Sequence, residues 1–119
     1  DFGDTNADGA NGLQGTSSNT RGVFAGMGPN FKTIDFVTIA TTGTVTDFGD
    51  MRFESSQRTG TGNSIRGIFG GGYIAPTGRT TLIDQITIAS TGNATAFGDL
   101  IITTNYAAST SDSHGGLAE

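Results

Sequence analysis

Three short strings recur along this chain in the same order, and that repetition limits the possible folds more than any other feature. Ile34-Asp35-Phe36-Val37-Thr38-Ile39-Ala40-Thr41-Thr42-Gly43 returns as Ile83-Asp84-Gln85-Ile86-Thr87-Ile88-Ala89-Ser90-Thr91-Gly92. Asp1-Phe2-Gly3-Asp4 returns as Asp47-Phe48-Gly49-Asp50 and again as Ala96-Phe97-Gly98-Asp99. Arg21-Gly22-Val23-Phe24-Ala25-Gly26 returns as Arg66-Gly67-Ile68-Phe69-Gly70-Gly71, with a weaker echo at His114-Gly115-Gly116-Leu117. The units therefore run over 1–46, 47–95 and, in part, 96–119. Such a unit holds four short strands and their turns, the size of a propeller blade at about 40–50 residues.

Composition agrees with strands rather than helices. Of 119 residues, 20 are Gly and 20 are Thr, and Gly is costly inside helices while Thr prefers the pleated sheet. The fold class expected is all-β. Strand a falls within 11–18 and 57–63. Strand b covers Gly22–Gly26 and Gly67–Gly71, and strand c covers Ile34–Thr41 and Ile83–Ser90. Strand d carries the Phe-Gly-Asp element and is outermost. Thr42-Gly43 and Thr91-Gly92-Asn93 make the c–d turn, where Gly supplies the backbone angles. On strand c, Ile34, Phe36 and Ala40 alternate with Val37 and Ile39, so both faces are apolar. A strand sandwiched between neighbouring repeats needs that pattern.

The order of these elements resembles the kelch repeat. Ile68-Phe69-Gly70-Gly71-Gly72 supplies the aliphatic-aromatic strand ending in glycines; an Ile-Asp strand and a Phe-Gly-Asp strand follow. Phe2, Phe48 and Phe97 sit where cellular kelch repeats usually carry Trp, of which this chain has none. More narrowly, the strings resemble the Gly/Thr-rich kelch-like repeats of marine phage tail-associated structural proteins. The resemblance implies β-propeller blades and a virion or extracellular location. About two and a half repeats are present, whereas propellers close with roughly four to eight blades. The expected partners are therefore further repeats of the same polypeptide or other copies of it. On this reading, a folded monomer with cooperative unfolding would instead favour a compact sandwich.

Charge and residue inventory exclude several functions. Lys and Arg total 6 against 11 Asp and Glu, a net charge of −5, with Lys32 the only lysine. That leaves no basic footprint for nucleic acid, and no apolar run reaches the roughly 20 residues of a membrane helix. No Cys is present, which removes disulfides and thiolate chemistry. Asp4-Thr5-Asn6-Ala7-Asp8-Gly9 begins like a calcium loop, with Asp4, Asn6 and Asp8 as ligands. Its ninth and twelfth positions are Gly12 and Gly15, however, and the aligned copies lack the ligands, so a polar turn explains it more simply. The Asp-Phe-Gly string has no kinase context. His114, the only histidine, aligns with Arg21 and Arg66 and reads as a blade-edge residue. Arg21 and Arg66 are expected to bond acidic or carbonyl groups between blades, with Asp35 and Asp84 as partners. No cofactor is expected.

Loop variation points to a binding face. From Gly71 to Ile83 the b–c connection is longer than from Gly26 to Ile34, and the d-to-b distance also varies. Both connections leave the same end of an antiparallel blade, and loops on a rigid scaffold are where binding tends to reside. Asn30, Phe31, Lys32, Tyr73 and Arg79 would line that end, a mixture suited to sugar or protein. Neutral drift of surface loops would give the same variation. The expected function is a non-enzymatic structural or adhesion module, associated with a phage tail or fibre, presenting these loops to a host-surface glycan or protein. A kelch-type interaction scaffold is the alternative. A glycan-active propeller enzyme would need more than Tyr73, Tyr106 and His114.

Overall fold

The computed structural model describes residues 1–5, 12–27 and 31–111. Asn6, Asp8, Asn30 and His114 lie outside the described residues. Among those described there are nine strands and no helix, so the chain is all-β. The first sheet is a meander of β1 (Gln14–Ser17), β2 (Arg21–Met27), β3 (Thr33–Thr38) and β4 (Thr46–Asp50). The second begins with β5 (Thr59–Gly62) and β6 (Arg66–Gly70), then β7 (Tyr73–Ile74), β8 (Gly78–Thr87) and β9 (Thr95–Thr104). β6 and the short β7 share one edge of β8, and β9 takes the other. All pairings are antiparallel and both sheets are open.

The repeat survives at the level of register. Arg21 faces Thr38 as Arg66 faces Thr87, and Ile34 faces Gly49 as Ile83 faces Gly98. A register shift follows Ile34 in one sheet and Ile83 in the other. Strand c ends earlier than expected, at Thr38 and Thr87 rather than Thr41 and Ser90. Its partner strand begins at Arg21 or Arg66, and beyond that pair the chain folds into turns closed by Thr41 N–H to Thr38 O and Ser90 N–H to Thr87 O. In the second sheet strand c also starts earlier, at Gly78. The longer b–c connection folds back as β7, which pairs with that start, and β9 runs on to Thr104 beside it.

The two sheets meet at equivalent places, strand a on strand a and strand d on the following c–d turn. Glycine makes the first approach possible, because a Cβ on Gly60 would lie 2.6 Å from the Gly15 carbonyl oxygen and one on Gly67 would lie 2.7 Å from Thr16 Cγ2. At the other end Gly92 N–H donates to Phe48 O at 2.7 Å and Ala94 N–H to Asp50 O at 2.8 Å. Between these contacts lies the core of Val23, Ala25, Ile34, Phe48, Met51, Phe69, Ile86, Ile88 and Ala94. Phe36 packs on it and meets the Phe48 ring edge-on at 6.0 Å.

Burial corrects the expectation that strand c is covered on both faces in each repeat. Ile88 is fully buried, whereas its counterpart Ile39 is 47% exposed. Phe48 is 2% exposed and its counterpart Phe97 47%. Each buried member lies at the contact between the sheets; each exposed one lies on an outward face.

Candidate functional site

Four of the residues expected at the loop end, Phe31, Lys32, Tyr73 and Arg79, are brought together by a chain of backbone bonds. Met51 N–H donates to Lys32 O at 2.7 Å and Ser55 N–H to Phe31 O at 3.4 Å, tying the first b–c loop to the d–a connection. Ser56 and Tyr73 exchange both backbone bonds, at 3.0 and 2.9 Å, and so join that connection to β7. Tyr73 in turn faces Arg79 across the β7–β8 hairpin. Phe31 holds a left-handed backbone angle (φ 51), which turns the chain sharply into β3. Tyr73 and Arg79 are exposed; Phe31 and Lys32 are half-buried. Phe53 joins them, 42% exposed with the Arg52 guanidinium 5.1 Å from its ring centroid. The loop variation pointed to this end, but Phe53 was missed because the connection between strands d and a carries no repeated string.

The arginine–aspartate pairing differs from expectation. Asp84 is fully buried and bound by Arg52 Nε at Oδ1 and by Arg58 Nη1 at Oδ2, the latter at 2.7 Å. Arg66 takes no part; its guanidinium lies 5.7 Å from the Phe97 ring centroid. The reason is register: Arg66 opens β6 opposite Thr87, three residues along from Asp84, whereas the d–a connection brings Arg52 and Arg58 within bonding distance of it. Arg58 Nη1 also donates to Phe69 O at 3.3 Å. Burial pulls the Arg58 pKa below its ordinary value, against the opposing pull of the Asp84 charge. Arg21 bonds between the sheets, through Nη1 to Ile88 O at 2.8 Å, while lying over the Phe36 ring.

Asp35, the first-repeat counterpart of Asp84, is buried with no arginine on it among the described residues. Its Oδ2 has no hydrogen-bond partner there. Burial first, and the nearby Asp47 second, push its carboxyl above the ordinary range. Arg52 and Arg58 could have been noticed in the sequence as the only cations between Asp50 and Arg66, but nothing in the first repeat matches them.

Asp4 is exposed at the chain start, and its carbonyl accepts Val45 N–H. No group of three or more His, Cys, Asp or Glu side chains positioned to hold a metal occurs among the described residues. A second concavity of about 300 Å³ separates the a–b turns of the two repeats, lined by Thr16, Ser18, Asn19, Thr61, Asn63 and Ser64 among others. Two of its side chains shape the turns: Asn63 Oδ1 accepts the N–H groups of Ile65 and Arg66, and Ser18 Oγ those of Thr20 and Arg21.

These features define an all-β protein of two antiparallel sheets with matching register. No protein-family model matches the chain, and no curated protein matches it.

Proposed function

We propose that this chain is a non-enzymatic structural and adhesion module, built from kelch-like propeller repeats and carried on a virion such as a phage tail or fibre. In this reading it presents the b–c loops and the d–a connection to a host-surface glycan or protein. One observation carries the reading: backbone bonds join Phe31, Lys32, Ser55, Ser56 and Tyr73 into one end, leaving Tyr73, Phe53 and Arg79 outward. Aromatic faces stack on the apolar side of a sugar ring or a partner side chain, and a guanidinium supplies forked donors to hydroxyl or carboxylate oxygens. The sheets beneath are tied together by glycine-mediated approach, and the β7–β8 hairpin pairs Tyr73 with Arg79, so these two are presented together.

The test is binding of the 119-residue chain to a glycan array and to intact bacterial cells, alongside Tyr73→Ala and Arg79→Ala. Binding that both variants weaken is expected. Absence of binding to every surface, or binding indifferent to both variants, would sink the reading.

A further inference from the structure

The contact between the two sheets joins a donor side, which contributes strand d, to a receiving side, and this chain holds a further copy of each: the donor copy is open, and the receiving copy is covered in part by residues 1–5. The donor side of the first sheet is Arg21, Phe48, Gly49 and Asp50; the receiving side of the second is Ile88, Gly92 and Ala94. On the second sheet the donor residues recur as Arg66, Phe97, Gly98 and Asp99. Phe97 is 47% exposed and a Cβ on Gly98 would meet nothing within 4 Å, although the same atom on Gly49 would lie 2.5 Å from Gly92 O. Beside Arg66 lies a groove of about 220 Å³, bordered by Gln85, Thr87, Ser90 and Asn93. On the first sheet the receiving residues recur as Ile39, Gly43 and Val45, with Ile39 47% exposed.

We propose that these two faces are one interface divided between molecules, and that a second copy of this chain, docked head to tail, occupies the open donor face and displaces residues 1–5 from the receiving one. Residues 1–5 show how the receiving side is filled. Gly43 N–H donates to Phe2 O at 2.7 Å and Val45 N–H to Asp4 O at 3.1 Å, the same bonds that Gly92 and Ala94 give to Phe48 and Asp50. Phe97-Gly98-Asp99 of a second copy offers the same carbonyls from the same sequence, so it exchanges for Phe2-Gly3-Asp4. Arg66 then reaches the Ile39 carbonyl as Arg21 reaches that of Ile88, and Phe97 and Ile39 leave water together. Little is lost in the exchange, since Phe2 is 44% exposed where it now lies. The docking uses the strand d half of each face, because residues near Ser109 already lie along β5, with Ser109 Oγ donating to Gly60 O at 2.7 Å.

Light scattering of the full chain over a concentration series tests this. Association rising with concentration is expected, and removal of residues 1–5 should tighten it by about tenfold or more. Phe97→Asp and Ile39→Asp each block one face at an exposed position. Each variant alone should stay monomeric, while their equimolar mixture forms a dimer that grows no further. Association unaffected by either variant would overturn the proposal, as would a chain lacking residues 1–5 that stays monomeric near about 1 mM. Should a fused duplicate of 47–95 raise the melting temperature of a chain that never self-associates, the occupant is a further repeat and the second-copy assignment is wrong.

Discussion

Arg58 donates from Nη1 to Asp84 Oδ2 at 2.7 Å with both side chains buried, and the first repeat has no equivalent of this pair. By register Leu13 stands where Arg58 stands, 36% exposed, while Asp35 keeps the aspartate position. Two nearly identical strands thus carry one neutralised carboxylate and one that is not. The difference lies in the connection that crosses each strand.

Removing the Asp84 carboxylate leaves Arg58 buried without its counter-charge, which costs about 3–5 kcal/mol in comparable cases. Asp84→Ala is expected to lower stability by that order in urea unfolding. Asp35→Ala, which strands no arginine among the described residues, should cost far less. Equal losses would contradict the asymmetry.

The Asp35 carboxyl is held above its ordinary value of 3.8 by burial and by Asp47. The folded state therefore binds this proton more tightly than the unfolded state does. The stability so gained is fully present below the unfolded pKa and is lost as pH rises through the higher folded value. At neutral pH Asp35→Asn should melt above the parent chain, because the amide has no charge to bury. The gap should close in acid below the ordinary carboxylate range. A variant that melts lower at pH 7 would show that the carboxylate is satisfied.

Gly49 and Gly98 occupy one motif position in different surroundings. At Gly49 φ is 147° and an added Cβ would strike the Gly92 carbonyl, so Gly49→Ala should cost about 1–3 kcal/mol or more. Gly98 faces open space, and Gly98→Ala in dilute solution should change stability by only a few tenths of a kcal/mol. Differential scanning calorimetry of the two variants makes the comparison.

Ile88→Ala empties a fully buried site and should cost about 2–5 kcal/mol. Ile39→Ala, at the matching position 47% exposed, should cost well under half of that in dilute solution. Chemical denaturation reads both, and similar values would mean that the free face is covered in solution.

The sequence by itself determined the all-β class and the order of strands a to d, because apolar phase, glycine turns and repeated strings are local and survive in any surroundings. It also marked the loop end, since lengths that vary against a constant c–d turn can be counted without coordinates. Tertiary structure alone decided what each repeated residue does. Phe48 and Phe97 stand in near-identical strings, as do Ile39 and Ile88, yet one of each pair is buried and the other is not, because burial belongs to the neighbour that packs on a residue. Arg66 had the obvious claim on Asp84, but Arg52 and Arg58 hold it. Which cation meets a buried carboxylate depends on the path of a connection with no repeat, and that path appears only once the sheets have docked.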